Sequence, residues 1–480
     1  MAFGSDSVEV DDFLREISDP DGALEVLNPA DATLVARVRS FSADDVARHI
    51  ATMNDAWPSW RSESAKARSI RLKAWNDLIL ANSENLARLV TLECGKPLAE
   101  ARGEVAYAAA FIEWFAEEAK RAYGEVIPAP VSGKNLFTLR QPVGVAAAIT
   151  PWNFPLAMIT RKVGPALAAG CPMIVKPAEA TPLSALALEH LAREAGIPER
   201  VFKVVPTVAP VDIGDVFCRS TEIRKLSFTG STPVGKILLE KCASTVKRVS
   251  MELGGNAPFI VFDDADIGPA IEGAIASKFR NAGQTCVCAN RFLVQDGIHD
   301  QFVSALVDRV RQLKVGRGEE EGVQIGPIIN EAGAQKVENM VVGAVNNGAH
   351  VECGGGRHSA GMSFFEPTVL TGVTPDMTIF NSEIFGPVAS ITKFATEAEA
   401  IRMANATPYG LAAYFFTEDR KRISRLNHAL EYGMVGANDG MISTEVAPFG
   451  GVKESGLGRE GGRQGLEEYL ETKYVSASGY

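Results

Sequence analysis

Apolar and polar residues alternate along the chain with two different periods, and the change of period divides the sequence. From Ser42 to about Tyr123 the chain is rich in Ala, Leu, Glu and Arg at helical spacing, and Asp45 suits a capping box with Ser42. Later, helical stretches alternate with short apolar runs, which are Val145–Ile149, Met173–Val175, Phe202–Val205, Leu226–Phe228 and Phe259–Phe262. This alternation is typical of βαβ units with a parallel sheet. It continues to the end of the chain, so we predict two α/β domains that meet near Gly254-Gly255.

Composition and charge exclude several classes of protein. The chain has 480 residues, of which 46% are hydrophobic and 22% charged, as in a globular protein with two or three cores. The net charge of −11 is spread along the chain, which lacks the basic face of a nucleic-acid binder. No stretch approaches the ~20 apolar residues of a membrane span, and Met1 to Val10 do not form a secretory signal. The seven scattered cysteines indicate reduced thiols, so we predict a cytoplasmic protein.

Two segments carry residues suited to covalent catalysis. Cys286 follows Gly283-Gln284-Thr285, and upstream Glu252 precedes Leu253-Gly254-Gly255. A thiolate is the best side-chain nucleophile near neutral pH, and a nearby carboxylate could activate water to release what the sulfur has captured. We therefore predict a nucleophile and a base. The alternative is that the cysteine only packs in a core and the Glu-Leu-Gly-Gly segment only ends a strand.

Two predicted strand ends suit a dinucleotide. The segment Leu226–Gly235 indicates a strand, a glycine turn and a helix start, where backbone N–H groups attract phosphate oxygens. Its spacing differs from the common Gly-x-Gly-x-x-Gly fingerprint, so a plain βα turn stays an alternative. At another strand end, Lys176 and Glu179 could hold ribose hydroxyls, although an ordinary ion pair would explain them equally well.

Six motifs follow one another along the chain, and they are Thr150–Pro155, Lys176–Glu179, Phe228–Thr232, Glu252–Gly255, Gly283–Cys286 and Glu383–Pro387. In this order they resemble the NAD(P)-dependent aldehyde dehydrogenase superfamily, and the resemblance covers roughly residues 25–475. Three further segments, residues 279–291, 445–461 and 467–474, resemble the succinate-semialdehyde dehydrogenases within it.

The resemblance implies roles for the candidate residues. Cys286 would attack the aldehyde carbon, and the Asn153 amide with the Cys286 N–H would stabilise the oxyanion of the thiohemiacetal. After hydride transfer, Glu252 would activate water to hydrolyse the thioester. The implied cofactor contacts are Trp152, Asn153, Lys176, Glu179, Gly230, Ser231, Gly235, Leu253, Glu383 and Phe385. Because Glu179 would repel a 2′-phosphate, we expect a preference for NAD, with NADP tolerated if Glu179 rotates away.

The semialdehyde dehydrogenases hold the distal carboxylate of their substrate with two arginines and a serine, which match Arg161, Arg280 and Ser443. A bidentate guanidinium suits a carboxylate, although either arginine could instead pair with an internal acid. Asp439 is a departure, because these dehydrogenases more often carry an uncharged residue or Glu there. If Asp439 faces the pocket, it would weaken anion binding or favour another substrate.

The sequence therefore predicts the oxidation of a small-molecule aldehyde with a distal carboxylate, namely succinate semialdehyde. The main alternative is a dehydrogenase for glutarate semialdehyde or an uncharged aldehyde. A non-catalytic binding protein on the same fold and a CoA-acylating dehydrogenase are weaker alternatives, since the three candidate catalytic residues are present. The six histidines lack metal-ligand spacing relative to the cysteines, so no metal site is predicted.

Cys288 lies two residues after Cys286 and suggests a redox switch in which the two thiols form a disulfide. In an extended segment their Cα atoms would be ~7 Å apart, at the limit for a disulfide, so the loop would have to bend. Simple packing of Cys288 is the alternative.

The fold implied by the resemblance is α/β, with three parts. A Rossmann-type cofactor domain would comprise residues 1–127 and 148–254, and an α/β catalytic domain residues 255–445. A small β bridging element would comprise residues 128–147 and 446–480. A projecting strand pair leaves open edges unless it pairs with another subunit, so we expect a homodimer or homotetramer.

Overall fold

The computed structural model describes residues 13–479. The predicted absence of a secretory signal concerns Met1 to Val10, which lie outside the described residues. Within residues 13–479, no helix is both long enough and apolar enough to cross a membrane.

The strands are β1 (Leu24–Leu27), β2 (Leu34–Val38), β3 (Val126–Ile127), β4 (Lys134–Pro142), β5 (Val145–Ile149), β6 (Met173–Lys176), β7 (Phe202–Val204), β8 (Ile223–Thr229), β9 (Arg248–Glu252), β10 (Ala257–Val261), β11 (Ala289–Gln295), β12 (His350–Cys353), β13 (Thr368–Thr371), β14 (Val388–Phe394), β15 (Ala412–Phe416), β16 (Met434–Ala437), β17 (Gly456–Leu457) and β18 (Leu470–Ser478).

The helices are α1 (Ala43–Ser62), α2 (Ala65–Ala81), α3 (Ser83–Cys94), α4 (Leu98–Glu118), α5 (Ala157–Ala169), α6 (Pro182–Glu194), α7 (Pro210–Arg219), α8 (Thr232–Ala243), α9 (Ile267–Lys278), α10 (His299–Val310), α11 (Glu331–Asn346), α12 (Thr378–Asn381), α13 (Glu397–Asn405), α14 (Arg420–Ala429) and α15 (Gly462–Glu467). Three short 3₁₀ helices are Ala119–Arg121, Arg280–Gly283 and Lys453–Ser455.

The helical first part of the chain is confirmed by α1 to α4, which follow one another from Ala43 to Glu118. The predicted capping box is also present. The N–H of Asp45 donates to the Ser42 hydroxyl at 3.2 Å, and the N–H of Ser42 donates to the Asp45 carboxylate at 3.1 Å. Two N–H groups of the helix start are thereby satisfied by local side chains, which is why this boundary could be predicted from sequence.

A six-stranded sheet has the order β17-β9-β8-β5-β6-β7, and all its strands are parallel except β17. The chain runs from β5 through β6 to β7 on one side and then continues with β8 and β9 on the other. The strand order therefore reverses between β5 and β8. In open α/β sheets, ligands bind in the crevice beyond the carboxyl ends of the strands at such a reversal.

A seven-stranded sheet has the order β12-β13-β14-β11-β10-β15-β16, with only β12 antiparallel. Aromatic rings fill its core, where the centroid of Phe259 lies 5.0 Å from those of Phe292 and Phe416. The chain leaves the six-stranded sheet at the end of β9 and enters this sheet at β10, close to the predicted junction at Gly254-Gly255. The α/β fold class with parallel sheets is confirmed.

A small antiparallel sheet has the order β18-β4-β3, and β18 pairs with β4 along its whole length. Leu139 on β4, Tyr474 on β18 and Val126 on β3 are exposed. Strands β4 and β18 lie within the segments predicted to bridge, residues 128–147 and 446–480, whereas β17 joins the six-stranded sheet. The limits of the three predicted domains stay a prediction.

Candidate active site

A cavity of about 370 Å³ is lined by residues that follow or precede strands of both large sheets. All three predicted catalytic residues line it, and these are Cys286, Glu252 and Asn153. Most of the predicted cofactor contacts line it as well, and besides Asn153 these are Trp152, Gly230, Ser231, Leu253, Glu383 and Phe385. Trp152 and Asn153 lie in the loop after β5, and Gly230 and Ser231 lie in the loop after β8. These loops flank the reversal of strand order, so the six-stranded sheet places them where its fold favours a ligand.

The loop before Cys286 has a strained backbone. Asn281, Ala282 and Gly283 have φ values of 51°, 52° and 75°, which are left-handed and unfavourable for a residue with a side chain. A Cβ atom at Gly283 would collide with the carbonyl oxygen of Gly386. The backbone of Phe385 is also in the left-handed region, with φ of 59°. The cysteine loop and the Glu383–Pro387 loop thus contact each other backbone to backbone, and this contact holds both in costly conformations.

Cys286 is held in a setting that keeps its sulfur protonated at rest. Burial, followed by the negative charge of Glu383, raises the pKa of the Cys286 thiol to about 12, and the positive charge of Arg161 opposes this rise. The backbone leaves no room beside the cysteine, because a Cβ at Gly255 would lie 2.5 Å from the Cys286 carbonyl oxygen. The thiol therefore needs a proton acceptor before it can act as a nucleophile.

Glu252 is the last residue of β9, and its carboxyl group is buried in the cavity wall. Within residues 13–479 neither of its side-chain oxygens has a hydrogen-bond partner. Burial, with the negative charge of Glu460, raises the pKa of Glu252 well above its ordinary range. A carboxyl group with both oxygens unoccupied and a raised pKa can exchange protons with water or a reactant in the cavity.

Asn153 is anchored through its main chain and its side chain. Its Nδ2 donates to the carbonyl oxygen of Gln284 at 3.0 Å, and its Oδ1 has no partner among the described residues. Its own carbonyl oxygen accepts hydrogen bonds at 3.0 Å from Lys96 Nζ and from Asn281 Nδ2. One N–H of the Asn153 amide is left for a group in the cavity.

Glu383, Phe385 and Trp152 form the other wall of the cavity. The rings of Trp152 and Phe385 meet edge to face, with centroids 5.5 Å apart. Glu383 accepts the N–H of Gly255 at 3.3 Å, and burial raises its pKa to about 7. Two aromatic rings and a carboxylate beside the cysteine suit a flat, partly charged ring.

The start of α8 fits a phosphate group. The helix begins after Ser231 with Pro233 in its first turn, and no side chain caps its first N–H groups. Such open N–H groups attract phosphate oxygens. Gly235 does not line the cavity, but it allows α8 to approach Leu253, because a Cβ there would collide with the Leu253 side chain. These residues, at the strand-order reversal, fit a dinucleotide.

Lys176 and Glu179 do not line the cavity. Lys176 Nζ lies 2.5 Å from Glu179 Oε1 and donates to the carbonyl oxygen of Pro177 at 2.9 Å. The ion pair that the sequence analysis gave as the alternative is therefore present. Lys176 also ends β6, which pairs with β5 next to the crevice, so a role at the far end of a dinucleotide stays a prediction.

Arg161 does not line the cavity and contacts several neighbours, while its Nε has no hydrogen-bond partner among residues 13–479. Its Nη2 donates to the Tyr107 hydroxyl at 2.5 Å, and its Nη1 lies 3.5 Å from Glu460 Oε2. Its guanidinium also lies over the rings of Phe111 and Phe449, at 4.8 and 4.6 Å from their centroids. The predicted alternative of an internal acid is thus partly realised, although Lys162 is the nearer partner of Glu460.

Arg280 differs from Arg161 because it has no ion-pair partner within the described part of the chain. Its guanidinium lies 5.4 Å from the centroid of Phe154, and its Nε has no hydrogen-bond partner among residues 13–479. Burial raises the pKa of Tyr107, and the charges of both Arg161 and Arg280 oppose the rise, so both cations lie within electrostatic reach of the same hydroxyl. Arg280 is half-buried, and its charge opposes the rise in the pKa of Glu100 that burial causes, although the two groups form no ion pair. A cation without an ion-pair partner is suited to an anionic ligand.

The remaining substrate candidates lie in the loop after β16. Ser443 is half-buried there. Asp439 is exposed, and its carboxylate accepts the N–H of Met441 at 2.8 Å. Asp439 is therefore engaged in a local turn, which accounts for an acid at this position. None of Arg161, Arg280 and Ser443 lines the cavity itself, so their substrate role stays a prediction.

Cys288 is buried, and its thiol donates to the carbonyl oxygen of Lys278 at 3.4 Å. The N–H of Cys288 donates to the Thr285 carbonyl oxygen at 3.1 Å, so the segment with Cys286 forms a turn. A disulfide between the two cysteines requires a bend of this kind, and the redox switch stays a prediction.

Sequence reasoning missed Lys96, Glu104 and Tyr107, which contact the loops of the site from behind. A signal was present, because Glu100, Glu104 and Tyr107 recur at helical spacing among the apolar residues of α4. Polar residues on the buried face of a helix need buried partners.

The chain matches the model of the Aldehyde dehydrogenase family over residues 17–475, and it belongs to that family. The members of this family are NAD(P)-dependent oxidoreductases, which confirms the predicted class of enzyme. The chain is also similar to a solved succinate-semialdehyde dehydrogenase from Burkholderia pseudomallei, with a TM-score of 0.95 and 54% identity over 96% of each chain. This similarity confirms the aldehyde dehydrogenase fold.

The names of the curated relatives differ in the aldehyde that they give as substrate. The chain is 57% identical to a mitochondrial succinate-semialdehyde dehydrogenase of Oryza sativa subsp. japonica, over 94% of this chain and 86% of the relative. It is 54% identical to an Escherichia coli (strain K12) succinate-semialdehyde dehydrogenase [NADP(+)], over 94% of each. It is also 53% identical to a glutarate-semialdehyde dehydrogenase of Pseudomonas aeruginosa, over 95% of this chain and 94% of the relative.

Proposed function

We propose that this protein oxidises succinate semialdehyde to succinate with NAD(P)⁺. The observation that carries the substrate class is the half-buried Arg280 in the loop before Cys286, whose Nε has no hydrogen-bond partner and whose guanidinium has no ion-pair partner within residues 13–479. Relatives more than half identical to this chain carry this activity in their names. A small aldehyde with a carboxylate at its other end suits this arrangement.

The reaction begins when the Cys286 thiol gives its proton to a base and its sulfur attacks the aldehyde carbon. The carbonyl oxygen becomes an oxyanion, which the free N–H of the Asn153 amide and the N–H of Cys286 stabilise. The bound nicotinamide cofactor supplies the acceptor for the hydride that leaves this carbon. A thioester then joins the acyl group to Cys286.

Glu252 releases the product in this mechanism. Its carboxylate takes a proton from a water molecule, the water oxygen attacks the thioester carbon, and the sulfur leaves as the thiolate of Cys286. The raised pKa of Glu252 makes its ionised form a stronger base than an ordinary carboxylate. Retention of this residue disfavours a CoA-acylating enzyme, in which a second thiol rather than water accepts the acyl group.

The substrate is tested with a panel of succinate semialdehyde, glutarate semialdehyde, butanal and benzaldehyde, followed by the absorbance of the reduced cofactor. We expect succinate semialdehyde to be preferred, and Arg280→Ala to raise its KM by roughly 30-fold or more, since a desolvated charge contact is lost. Arg280→Lys keeps the positive charge but loses the bidentate guanidinium, so its KM for succinate semialdehyde should lie between those of the unmodified enzyme and of Arg280→Ala.

Butanal is the internal control of this panel, because it has no carboxylate and its KM should not respond to Arg280. Equal or better turnover of the uncharged aldehydes by the unmodified enzyme would refute the semialdehyde assignment. Preference for the longer glutarate semialdehyde would favour the second candidate, which one relative carries in its name. Cofactor binding without turnover of any aldehyde would indicate a non-catalytic protein.

We propose NAD as the preferred cofactor, because the carboxylate of Glu179 would repel a 2′-phosphate. The ion pair with Lys176 keeps this carboxylate at the end of β6. A Glu179→Ser variant should shift the ratio of kcat/KM values toward NADP, and an unchanged ratio would refute the assignment. One relative has NADP in its name, so both cofactors belong in the assay.

We also propose a homodimer or homotetramer in the cytoplasm. Strand β18 is an edge of its sheet, and the sheet exposes Leu139 on β4, Tyr474 on β18 and Val126 on β3. Open edges with apolar side chains favour pairing with a second copy. The seven cysteines are all free thiols, which suits a reducing compartment. Light scattering should give two or four times the mass of one chain, and a monomeric mass would contradict the proposal.

A further inference from the structure

One face of α4 contacts three separate parts of the site. Glu100 accepts the N–H of Asn281, in the cysteine loop, at 2.8 Å. Glu104 accepts the N–H of Leu156, after the Asn153 loop, at 2.9 Å, and the Tyr107 hydroxyl accepts from Arg161. Successive residues of the three are about one helical turn apart, so a single helix links the cysteine loop to the start and the first turns of α5.

Lys96 is the cation of this arrangement. It forms an ion pair with Glu104, and each side chain is only 1% exposed. Its Nζ also donates to the Asn153 carbonyl oxygen at 3.0 Å and lies 4.0 Å from the ring centroid of Phe154. An ammonium group has three N–H donors, and these three neighbours give each donor a partner. A buried charge pair is tolerated when its hydrogen bonds are satisfied in this way.

Glu104 has a second role at the start of α5. Its Oε1 accepts the N–H groups of Leu156 and Ala157, at 2.9 and 3.4 Å, while Leu156 itself cannot cap the helix with its side chain. A carboxylate from α4 therefore replaces the missing N-cap and places a negative charge at the positive end of the helix. The segment between Asn153 and this helix start is thus fixed at both ends by the Lys96–Glu104 pair.

The Asn153 carbonyl oxygen joins this pair to the cysteine loop. It accepts from Lys96 on one side and from Asn281 Nδ2 on the other, and Asn281 lies in the strained turn before Cys286. A shift of this oxygen would move the Asn153 amide relative to the sulfur. Misplacement by about 1 Å can cost on the order of 10²-fold in rate.

We propose that Lys96 and Glu104 are positioning residues for the oxyanion, acting through the main chain of Asn153. This inference rests on the proposed role of the Asn153 amide in the reaction. Neither residue contacts the cavity, so neither needs to touch the substrate. The pair fixes the distance between amide and sulfur before the aldehyde arrives.

The test is a double-mutant cycle with Asn153→Ala, measured with succinate semialdehyde and NAD⁺. We expect Asn153→Ala to lower kcat by roughly 10²-fold, as loss of an oxyanion donor does. Lys96→Met with Glu104→Gln should lower kcat by about 10- to 100-fold, with KM for both substrates changed less than about threefold. Added to Asn153→Ala, the same pair should cost less than about twofold more.

Two further measurements separate positioning from folding. Alkylation of Cys286 by iodoacetamide needs no oxyanion site, so its rate should stay unchanged in the paired variant. Lys203→Met is the matched control, because Lys203 pairs with the buried Glu189 at 3.1 Å and packs near the ring of Phe41, away from the cavity. This control should lose thermal stability and keep its kcat. Lys96→Arg should restore part of the rate.

The inference would be overturned if the Lys96→Met and Glu104→Gln pair lowered kcat by the same factor with and without Asn153→Ala. Slower alkylation of Cys286 in the paired variant would also overturn it. If the paired variant does not fold, Glu104→Gln alone carries the test, since an amide oxygen can still accept from Leu156. Full activity of Asn153→Ala would refute the oxyanion role in the proposed function and remove the basis of the inference. If Asn153→Ala lowers kcat as expected but the loss caused by the Lys96→Met and Glu104→Gln pair multiplies with it, only the positioning role of Lys96 and Glu104 is refuted, and the oxyanion role of Asn153 stands.

Discussion

The reacting centre and the region proposed to hold the distal carboxylate differ in how far their polar groups are satisfied, and in the second region the Nε atoms of Arg161 and Arg280 lack hydrogen-bond partners within residues 13–479. At the centre, both oxygens of Glu252 and the Oδ1 of Asn153 have no partner within residues 13–479. In the other region, Arg161 is engaged by the Tyr107 hydroxyl, by Glu460 and by aromatic rings. Groups that react must be free to exchange partners, whereas groups that bind gain from being held in place beforehand.

The two regions also differ in charge at rest. Burial raises the pKa of Cys286 to about 12 and raises that of Glu252 well above its ordinary range, so burial disfavours the charged forms of both reacting groups. Arg161 and Arg280 stay cationic, because a guanidinium keeps its proton in proteins. Positive charge at the far end favours a substrate with a carboxylate there.

The largest expected effect on kcat is that of replacing Cys286, and replacing its neighbour Cys288 is the comparison. Cys286→Ala should lower kcat by about 10⁴-fold or more, because no other group supplies the nucleophile. Cys288→Ala should keep kcat within about threefold, since its thiol only bonds to the Lys278 carbonyl oxygen. Steady-state kinetics of both variants checks this. Equal losses would mean that the turn, rather than the Cys286 sulfur, limits the reaction.

Glu252→Gln should lower steady-state turnover by roughly 10²- to 10³-fold, because the amide cannot take a proton from water. Acylation of Cys286 should continue, so rapid mixing should show a burst of about one reduced cofactor per site. The absence of a burst would show that Glu252 is needed before hydride transfer, and the division of roles between Glu252 and Asn153 would then be wrong.

Tyr107→Phe tests the preorganised region with a smaller change. The variant removes one hydroxyl from Arg161, a loss of about 1 kcal/mol, so KM for succinate semialdehyde should rise by roughly fivefold. KM for butanal should stay constant, because butanal carries no carboxylate for Arg161. A matching rise with butanal would mean that Tyr107 shapes the cavity and does not hold the arginine.

Glu383→Gln should give the smallest effect and tests the charge difference directly. The charge of Glu383 raises the pKa of Cys286, so its removal lowers that pKa and increases the thiolate fraction at any pH below it. Iodoacetamide should alkylate Cys286 about two- to fivefold faster in the variant at about pH 9. Below about pH 6 the two rates should converge, because burial raises the pKa of Glu383 to about 7 and its carboxyl is then neutral. Equal rates at both pH values would contradict the electrostatic role.

The contrast between the reacting centre and the region around Arg161 also separates what could be predicted from the sequence from what could not. Cys286 and Glu252 lie in short motifs with their own chemistry, whereas Asn153 is a candidate through the family resemblance, and all three line one cavity. The capping box of Ser42 and Asp45 was predictable for a similar reason, since both partners lie within one helical turn. Local sequence is sufficient wherever the groups that matter are neighbours along the chain.

The roles of Arg161, Lys96 and Glu104 depended on the tertiary structure. Arg161 meets Glu460, which lies 299 residues away, and Lys96 reaches the main chain of Asn153 across 57 residues. Such contacts are set by how helices dock on the two large sheets, which no local pattern encodes. The sequence alone predicted the fold class, which is confirmed, and it proposed Cys286 as the nucleophile and Glu252 as the base, which stay predictions. Only the folded chain decided which charges are paired and which have no ion-pair partner, because that depends on every group enclosed with them.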